Sequence, residues 1–403
     1  MKIIKAEIYE MSLALSEVYR KYGVWHPVIL RLTTDDGVTG LGEAGLAYGV
    51  GHRGAIGSLR DFLEKFVIGC DPFDREVVWD HMHSRSFWGS AIGPVICSAM
   101  SAVDIALWDI VGKSLDQPIW RLLGGRVQES LRCYASQIQF GWSGDGGWEL
   151  LGRAEDYAEA AAQAVKEGYD CVKIDPLQLT EDGAMGSPLH TKGLLDNRII
   201  RRVRTRMEAI REAVGDDTDI ILELHSLTSL TGGQQLAEAC ADLRLFMVEE
   251  AVNYGSDRPS KCLKQRLPHM AIAAGERIFT RWQYRGYLED QSLDVIQPDF
   301  CLVGGITEGR KICDMAHAYD VTVQGHICGS PISTAAAMHV ETAIPNFQIH
   351  EHHVNATCRP NRDICVQDPQ PVNGRMRASD TPGLGLDLND DYVSKHSQLT
   401  VVK

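Results

Sequence analysis

Six positions carry an acid or a histidine at a nearly constant spacing: Glu223, Glu249, Glu276, Asp299, His326 and Glu351, at intervals of 26, 27, 23, 27 and 25 residues. Each closes a short apolar run, among them "IILE", "FMVE", "VIQPD" and "VTVQGH". One acid at the end of a strand is ordinarily solvated or caps the next helix. Six in register, about one strand-plus-helix unit apart, call for another reason. Crowded carboxylates raise one another's pKa unless a cation offsets them. Three successive glutamates, Glu223, Glu249 and Glu276, suit oxygen ligation of Mg²⁺ or a similar hard cation. Asp299 beside His326 would fix the imidazole tautomer and strengthen it as a base. Lys173 and Asp175 close an earlier run, "CVKID", and bring a second possible base to the opposite flank. The set suits removal of a proton next to a carboxylate, with a cation binding that carboxylate and stabilising the enediolate as charge develops. "IILELHS" adds His225 two residues after Glu223. On a strand, side chains two apart share a face, so the imidazole and the carboxylate are expected to point the same way.

These groups need a frame. From about residue 126, strand-like and helix-like segments alternate. The strand candidates are "LRCYASQ", "CVKID", "DIILELH", "LFMVEE", "MAIAAGE", "DVIQPD", "VTVQGH" and "FQIHEH". Helical patterns over 153–167, 198–214, 232–241, 257–265, 281–290, 305–319 and 331–341 separate them. Eight strands with helices between them predict an α/β fold of the (β/α)8 TIM-barrel type, in which catalytic groups gather at the C-terminal ends of the strands. One helix of the ring is not evident, and the C-terminal segment is expected to supply it. The first 125 residues read instead as a smaller α+β unit. There "GLGEAG" (40–45) matches a dinucleotide fingerprint letter for letter, but a hairpin precedes it and a loop follows, the wrong context for a nucleotide site.

The chain has 403 residues, with 54 acidic against 40 basic side chains and a formal net charge of −14. That balance argues against nucleic-acid and anionic-membrane partners. No apolar run is read as long enough to span a membrane. The N-terminal "MKIIKAEIYE" reads as a strand, not a signal peptide. The 11 cysteines are odd in number and include no CxxC pair, which fits reduced thiols and a cytoplasmic location.

Taken in order, "CVKID", "LELH", "FMVEEA", "AAGERI", "IQPDF", "VQGH" and "NFQIHEH" resemble the enolase superfamily, mandelate racemase subgroup. "TGLGEAG" resembles that family's N-terminal capping domain, and "TPGLGLDL" (381–388) its C-terminal return to the cap. The resemblance implies a capping domain over 1–125, a barrel over 126–357 and a returning segment over 358–403. It implies Glu223, Glu249 and Glu276 as Mg²⁺ ligands and His326, paired with Asp299, as a general base. It implies Glu351 as hydrogen-bond donor to the substrate carboxylate, and Lys173 close to that carboxylate. Loops 16–27 and 46–54 would close over the substrate. A homo-oligomer is expected, of a size the sequence does not choose.

Two departures direct the functional reading. Where racemases of this group carry a second Lys, this chain has Asp175, which disfavours two-base racemisation. Where the subgroup usually has Asp-x-Asn, this chain has Glu223-x-His225, similar to galactonate-type and mannonate-type sugar acid dehydratases. There the His serves as general acid to the departing 3-hydroxyl. The expected activity is a Mg²⁺-dependent dehydration of a small-molecule sugar acid of the aldonate type to a 2-keto-3-deoxy acid. Either histidine could fill either role. The alternatives are a racemase, epimerase or cycloisomerase on another carboxylate, and a non-catalytic binding or regulatory homologue. The long stretch 176–197 is expected to act as a lid or a subunit contact. His190 within it is within reach of the site, though a surface position suits it better.

Overall fold

The computed structural model describes residues 1–21, 23–142, 148–186 and 191–403; His190 lies outside them. Three strands, β1 (Ile3–Met11), β2 (Val28–Thr34) and β3 (Thr39–Ala44), form an antiparallel meander. The 21-residue helix Pro94–Ser114 lies across it. Pro94 suits the first helical turn, where an N–H would be unsatisfied anyway. By length and composition this helix could cross a membrane, contrary to the expectation that no such run exists. However, 89% of its apolar window is buried inside the protein, which makes it a core helix.

The contact between this helix and β3 explains "GLGEAG". A Cβ on Gly40 would stand 2.2 Å from the Ala106 carbonyl oxygen, and one on Gly42 would stand 1.9 Å from that of Ala102. The glycines are there to let helix backbone lie directly on strand backbone. Gly42→Val is therefore expected to destabilise the fold by about 1–3 kcal/mol, the usual cost of overpacking, read as a lower urea midpoint at unchanged slope.

The barrel follows. Its strands are β4 (Leu131–Ser136), β5 (Cys171–Ile174), β6 (Asp219–Glu223), β7 (Met247–Glu249), β8 (Ile272–Ala274), β9 (Val295–Ile296), β10 (Thr322–Val323) and β11 (His350–His353). Neighbours pair in parallel from β4 through β10, and β11 pairs with β4. Closure runs through Val323, whose N–H donates to Asn346 O (2.8 Å) and whose carbonyl accepts from the Gln348 N–H (2.8 Å). Seven helices connect the eight strands, close to the predicted ranges: Ala154–Lys166, Asn197–Val214, Leu230–Ala239, Asp257–Arg266, Thr280–Glu289, Gly305–Ala318 and Pro331–Ala343. No eighth helix of that length completes the ring among the described residues. After β11 the chain makes only the short turns Val354–Thr357 and Arg359–Arg362 before β12 (Arg375–Met376) pairs with β4. Finally β13 (Ser397–Val402) joins the first sheet, antiparallel to β1.

Buried polar contacts fix the N-terminal layer to the barrel. The indole N–H of Trp79 donates to Gly304 O (2.8 Å), and the Thr307 N–H donates to Asp104 Oδ2 (2.9 Å). Glu43, at the end of β3, accepts from the Ser330 hydroxyl (2.6 Å) and N–H (3.1 Å) at the start of helix Pro331–Ala343.

Candidate active site

The barrel strands are shorter than the apolar runs suggested, and this changes how the chemical groups are presented. Glu223 and Glu249 are the last residues of β6 and β7, and Glu351 lies within β11. Glu276, Asp299 and His326 come two or three residues after their strands end, in backbone that is fanning into the mouth. The strand rule for His225 also fails. The backbone leaves the sheet after Glu223, and His225 and Ser226 take left-handed conformations (φ 45° and 54°). That turn, and not strand alternation, brings His225 Nε2 within 3.3 Å of Glu223 Oε1.

At the floor, Glu223, Glu249 and Glu276 converge, each offering an oxygen within 4.8 Å of the others. Lys173 rises between them and is buried. Its ammonium donates to Glu249 Oε1 (2.6 Å) and pairs with Glu351 Oε1 (2.9 Å) and Glu223 Oε2 (3.2 Å). One lysine does not balance so many carboxylates. Burial, then the Glu223 charge, pushes Glu249 up to about 8 against the pull of Lys173. Glu223 Oε1 and Glu249 Oε2 are buried without a hydrogen-bond partner. Unsatisfied buried carboxylate oxygens on converging side chains fit a hard cation, which prefers oxygen ligands.

Glu276 is engaged further. Alternation along a strand would point Arg277, the next residue, away from it. With β8 ending at Ala274, Arg277 instead folds back, its Nη2 2.9 Å from Glu276 Oε1 and its Nε donating to Glu250 Oε2 (2.9 Å). Burial opposes charge on Glu276, but His326 and Arg277 outweigh it and hold its carboxyl down to about 2.

Two histidines flank the floor, each with its own carboxylate. His326 Nδ1 lies 2.8 Å from Asp299 Oδ2, and its Nε2 lies 3.2 Å from Glu276 Oε2. His225 Nδ1 lies 2.6 Å from Asp175 Oδ2. Burial alone would depress both imidazoles. Glu276 and Asp299 raise His326 to about 10, and Glu223 and Asp175 raise His225 to about 10. Glu351 accepts from the Ser136 hydroxyl (2.6 Å) and the Ile327 N–H (2.8 Å). Burial favours its neutral form, yet Lys173, then His326, hold it well below the usual carboxylate range. Its surroundings thus favour an acceptor, and donation to a substrate requires a proton that those two charges oppose.

Sequence reading passed over Gln137. It follows β4 with φ 71°, donates to Glu223 Oε2 (2.9 Å) and approaches His225 Nε2 (3.3 Å). The signal was present, because Gln137 ends the run "LRCYASQ" as Glu223 ends "IILE". It was missed because an uncharged amide carries no chemistry alone.

Above the floor is a cavity of 380 Å³ that reaches His225, Glu276 and His326. The loops expected to cover it supply Tyr19, Trp25 and Tyr48. Trp25 stacks on Tyr48 (5.9 Å between rings), and Trp148 packs between Tyr19 (4.7 Å) and Phe140 (4.0 Å). Of the 176–197 stretch, Gln178 and Met185 line the same space. A larger hollow of 530 Å³ opens along 177–202, but it contains none of the strand-end groups.

Comparison with known proteins places these features in company. Residues 22–124 match the mandelate racemase / muconate lactonizing enzyme N-terminal domain, and residues 156–392 match the enolase C-terminal domain-like family. A D-xylonate dehydratase of Haloferax volcanii is 34% identical over 376 residues, spanning 92% of this chain and 85% of the relative. A solved member of the enolase superfamily from Salmonella Typhimurium superposes with a TM-score of 0.95 at 43% identity, over 100% of both chains. A mandelate racemase/muconate lactonizing enzyme from Jannaschia sp. CCS1 superposes at 0.86 with 27% identity, over 99% of this chain and 98% of that one.

Proposed function

Since the chain belongs to the mandelate racemase / muconate lactonizing enzyme family of the enolase superfamily, we propose that it is a sugar acid dehydratase acting on an aldonate. It removes the C2 proton and expels the 3-hydroxyl as water, leaving an enol that tautomerises, its hydroxyl losing a proton and C3 gaining one, to a 2-keto-3-deoxy acid. The observation that carries this reading is the pair of imidazoles reaching one cavity from two sides of the carboxylate floor, each held by its own aspartate. Dehydration needs two proton-active groups at different places, one for C2 and one for the leaving oxygen. The 34% identical relative that is a D-xylonate dehydratase supports the same class.

Glu223, Glu249 and Glu276 would hold Mg²⁺, which when bound supplies the positive charge that a substrate carboxylate and its C2 carbanion require. In its neutral form, with Nε2 unprotonated, His326 takes the C2 proton at Nε2, while Asp299 holds Nδ1. His225 delivers a proton to the 3-hydroxyl from its Nε2. Lys173 and Glu351 form the wall behind the carboxylate. Tyr19, Trp25, Tyr48 and Trp148 cover the substrate and exclude bulk water.

The test is a panel of aldonic and aldaric acids with Mg²⁺, read as 2-keto acid formation. Turnover of an aldonate supports the reading. Deuterium exchange at C2 without water loss would replace it with an epimerase. Metal binding has its own readout. Mg²⁺ at a hundred times its dissociation constant is expected to stabilise the protein by about 2.7 kcal/mol, seen as a Tm rise of a few degrees. Chelator should reverse the rise, and Glu249→Gln should lack it.

A further inference from the structure

We propose that Asp175 is a positioning residue for His225, holding the imidazole so that Nε2 is the atom presented to the cavity; this rests on the dehydratase reading above. Asp175 is fully buried at the end of β5. Each of its oxygens has a separate task. Oδ2 lies 2.6 Å from His225 Nδ1, while Oδ1 accepts the N–H groups of Leu177 (2.8 Å) and Gln178 (2.9 Å). The Asp175 N–H donates to Gln139 Oε1 (3.2 Å), and Gln139 in turn donates to Gln137 and, at 3.0 Å, to Gln178. The aspartate is thus fixed from three sides before it meets the histidine.

A carboxylate can only accept, so Nδ1 must carry a hydrogen in this pair. That turns Nε2 toward the cavity side, where it faces Glu223 and Gln137. The backbone gives an independent reason for a tether. His225 and Ser226 are consecutive non-glycine residues at positive φ, a sparsely populated conformation that persists only where its surroundings over-determine it. The His225 ring is 21% exposed, so packing alone does not hold it. The Asp175 bond does, and through Leu177 and Gln178 the same carboxylate pins the chain that brings Gln178 and Met185 to the cavity wall.

The test compares Asp175→Asn with His225→Asn on an aldonate that the wild type turns over. In Asp175→Asn, the amide oxygen can keep the two backbone N–H groups, which leaves the NH₂ facing Nδ1. The imidazole must then accept at Nδ1 or swing away. Removing such an outer partner typically lowers activity about 10–100-fold. The expected result is that loss in kcat for dehydration, with KM little changed, C2 exchange retained and partial recovery in Asp175→Glu. Long-range ¹H–¹⁵N spectra of ¹⁵N-histidine-labelled protein give a readout independent of turnover. The Nδ1–H signal absent from His225→Asn should also be absent from Asp175→Asn. If Asp175→Asn turns over at the wild-type rate while His225→Asn does not, the positioning role is wrong and the dehydratase reading stands. If the His225 Nδ1–H signal survives in Asp175→Asn, the role is likewise wrong. If His225→Asn itself turns over normally, the general-acid assignment fails first and takes the Asp175 proposal with it.

Discussion

Exchange of His225 for Asn is expected to stop water loss while proton exchange at C2 continues. The two steps use different groups. On the proposed mechanism the C2 proton is taken on the His326 side, where Asp299 and Glu276 surround the imidazole. Departure of the 3-hydroxyl needs a proton, and in the proposed mechanism His225 gives it. A positioned general acid contributes about 10²–10⁴-fold, equivalent to about 3–5.5 kcal/mol of barrier. Dehydration should fall by that factor. Substrate incubated in D₂O should still gain deuterium at C2. Turnover near the wild-type rate would remove His225 from the mechanism. Loss of exchange together with dehydration would show that the two histidines have exchanged roles.

Exchange of His326 for Asn is expected to abolish both readouts, because it removes the first step and with it everything that follows. Both C2 exchange and 2-keto acid formation should drop by about 10²–10⁴-fold. KM should change little, since His326 contributes one ring to a cavity with many other walls. Asn is short of the Glu276 carboxylate but can still accept or donate near Asp299, so the fold should hold and Tm should stay close to wild type. Retained exchange in His326→Asn, with dehydration also retained, would point to a base elsewhere, and Lys173 would be the first to examine.

The six strand-end groups and Lys173 were legible because a barrel repeats. One unit of about 25 residues returns the chain to the same mouth, so linear spacing encodes spatial convergence. The resemblance assigned roles to them, and the folded chain brings the three glutamates within 4.8 Å of one another. Local geometry was less legible. The rule of alternating faces holds inside a strand, and several of these residues lie just past one. It therefore misdirected Arg277, which turns back onto Glu276, and it gave the wrong reason for His225, which reaches Glu223 by a left-handed turn. Hydropathy likewise undervalued helix Pro94–Ser114, whose apolar surface is explained by burial on all sides.

By itself the sequence determined the barrel, the capping sheet and the identity of the groups at the mouth, because those depend on periodicity and residue type. Only the tertiary structure paired Asp175 with His225. Asp175 and His225 are 50 residues apart and come from adjacent strands. No linear spacing marks that pair, whereas the register of β5 against β6 and the turn after Glu223 set it directly. Gly40 and Gly42 show the same division. Their letters suggest a nucleotide loop, and only the helix lying against them shows that the missing side chains make room for backbone.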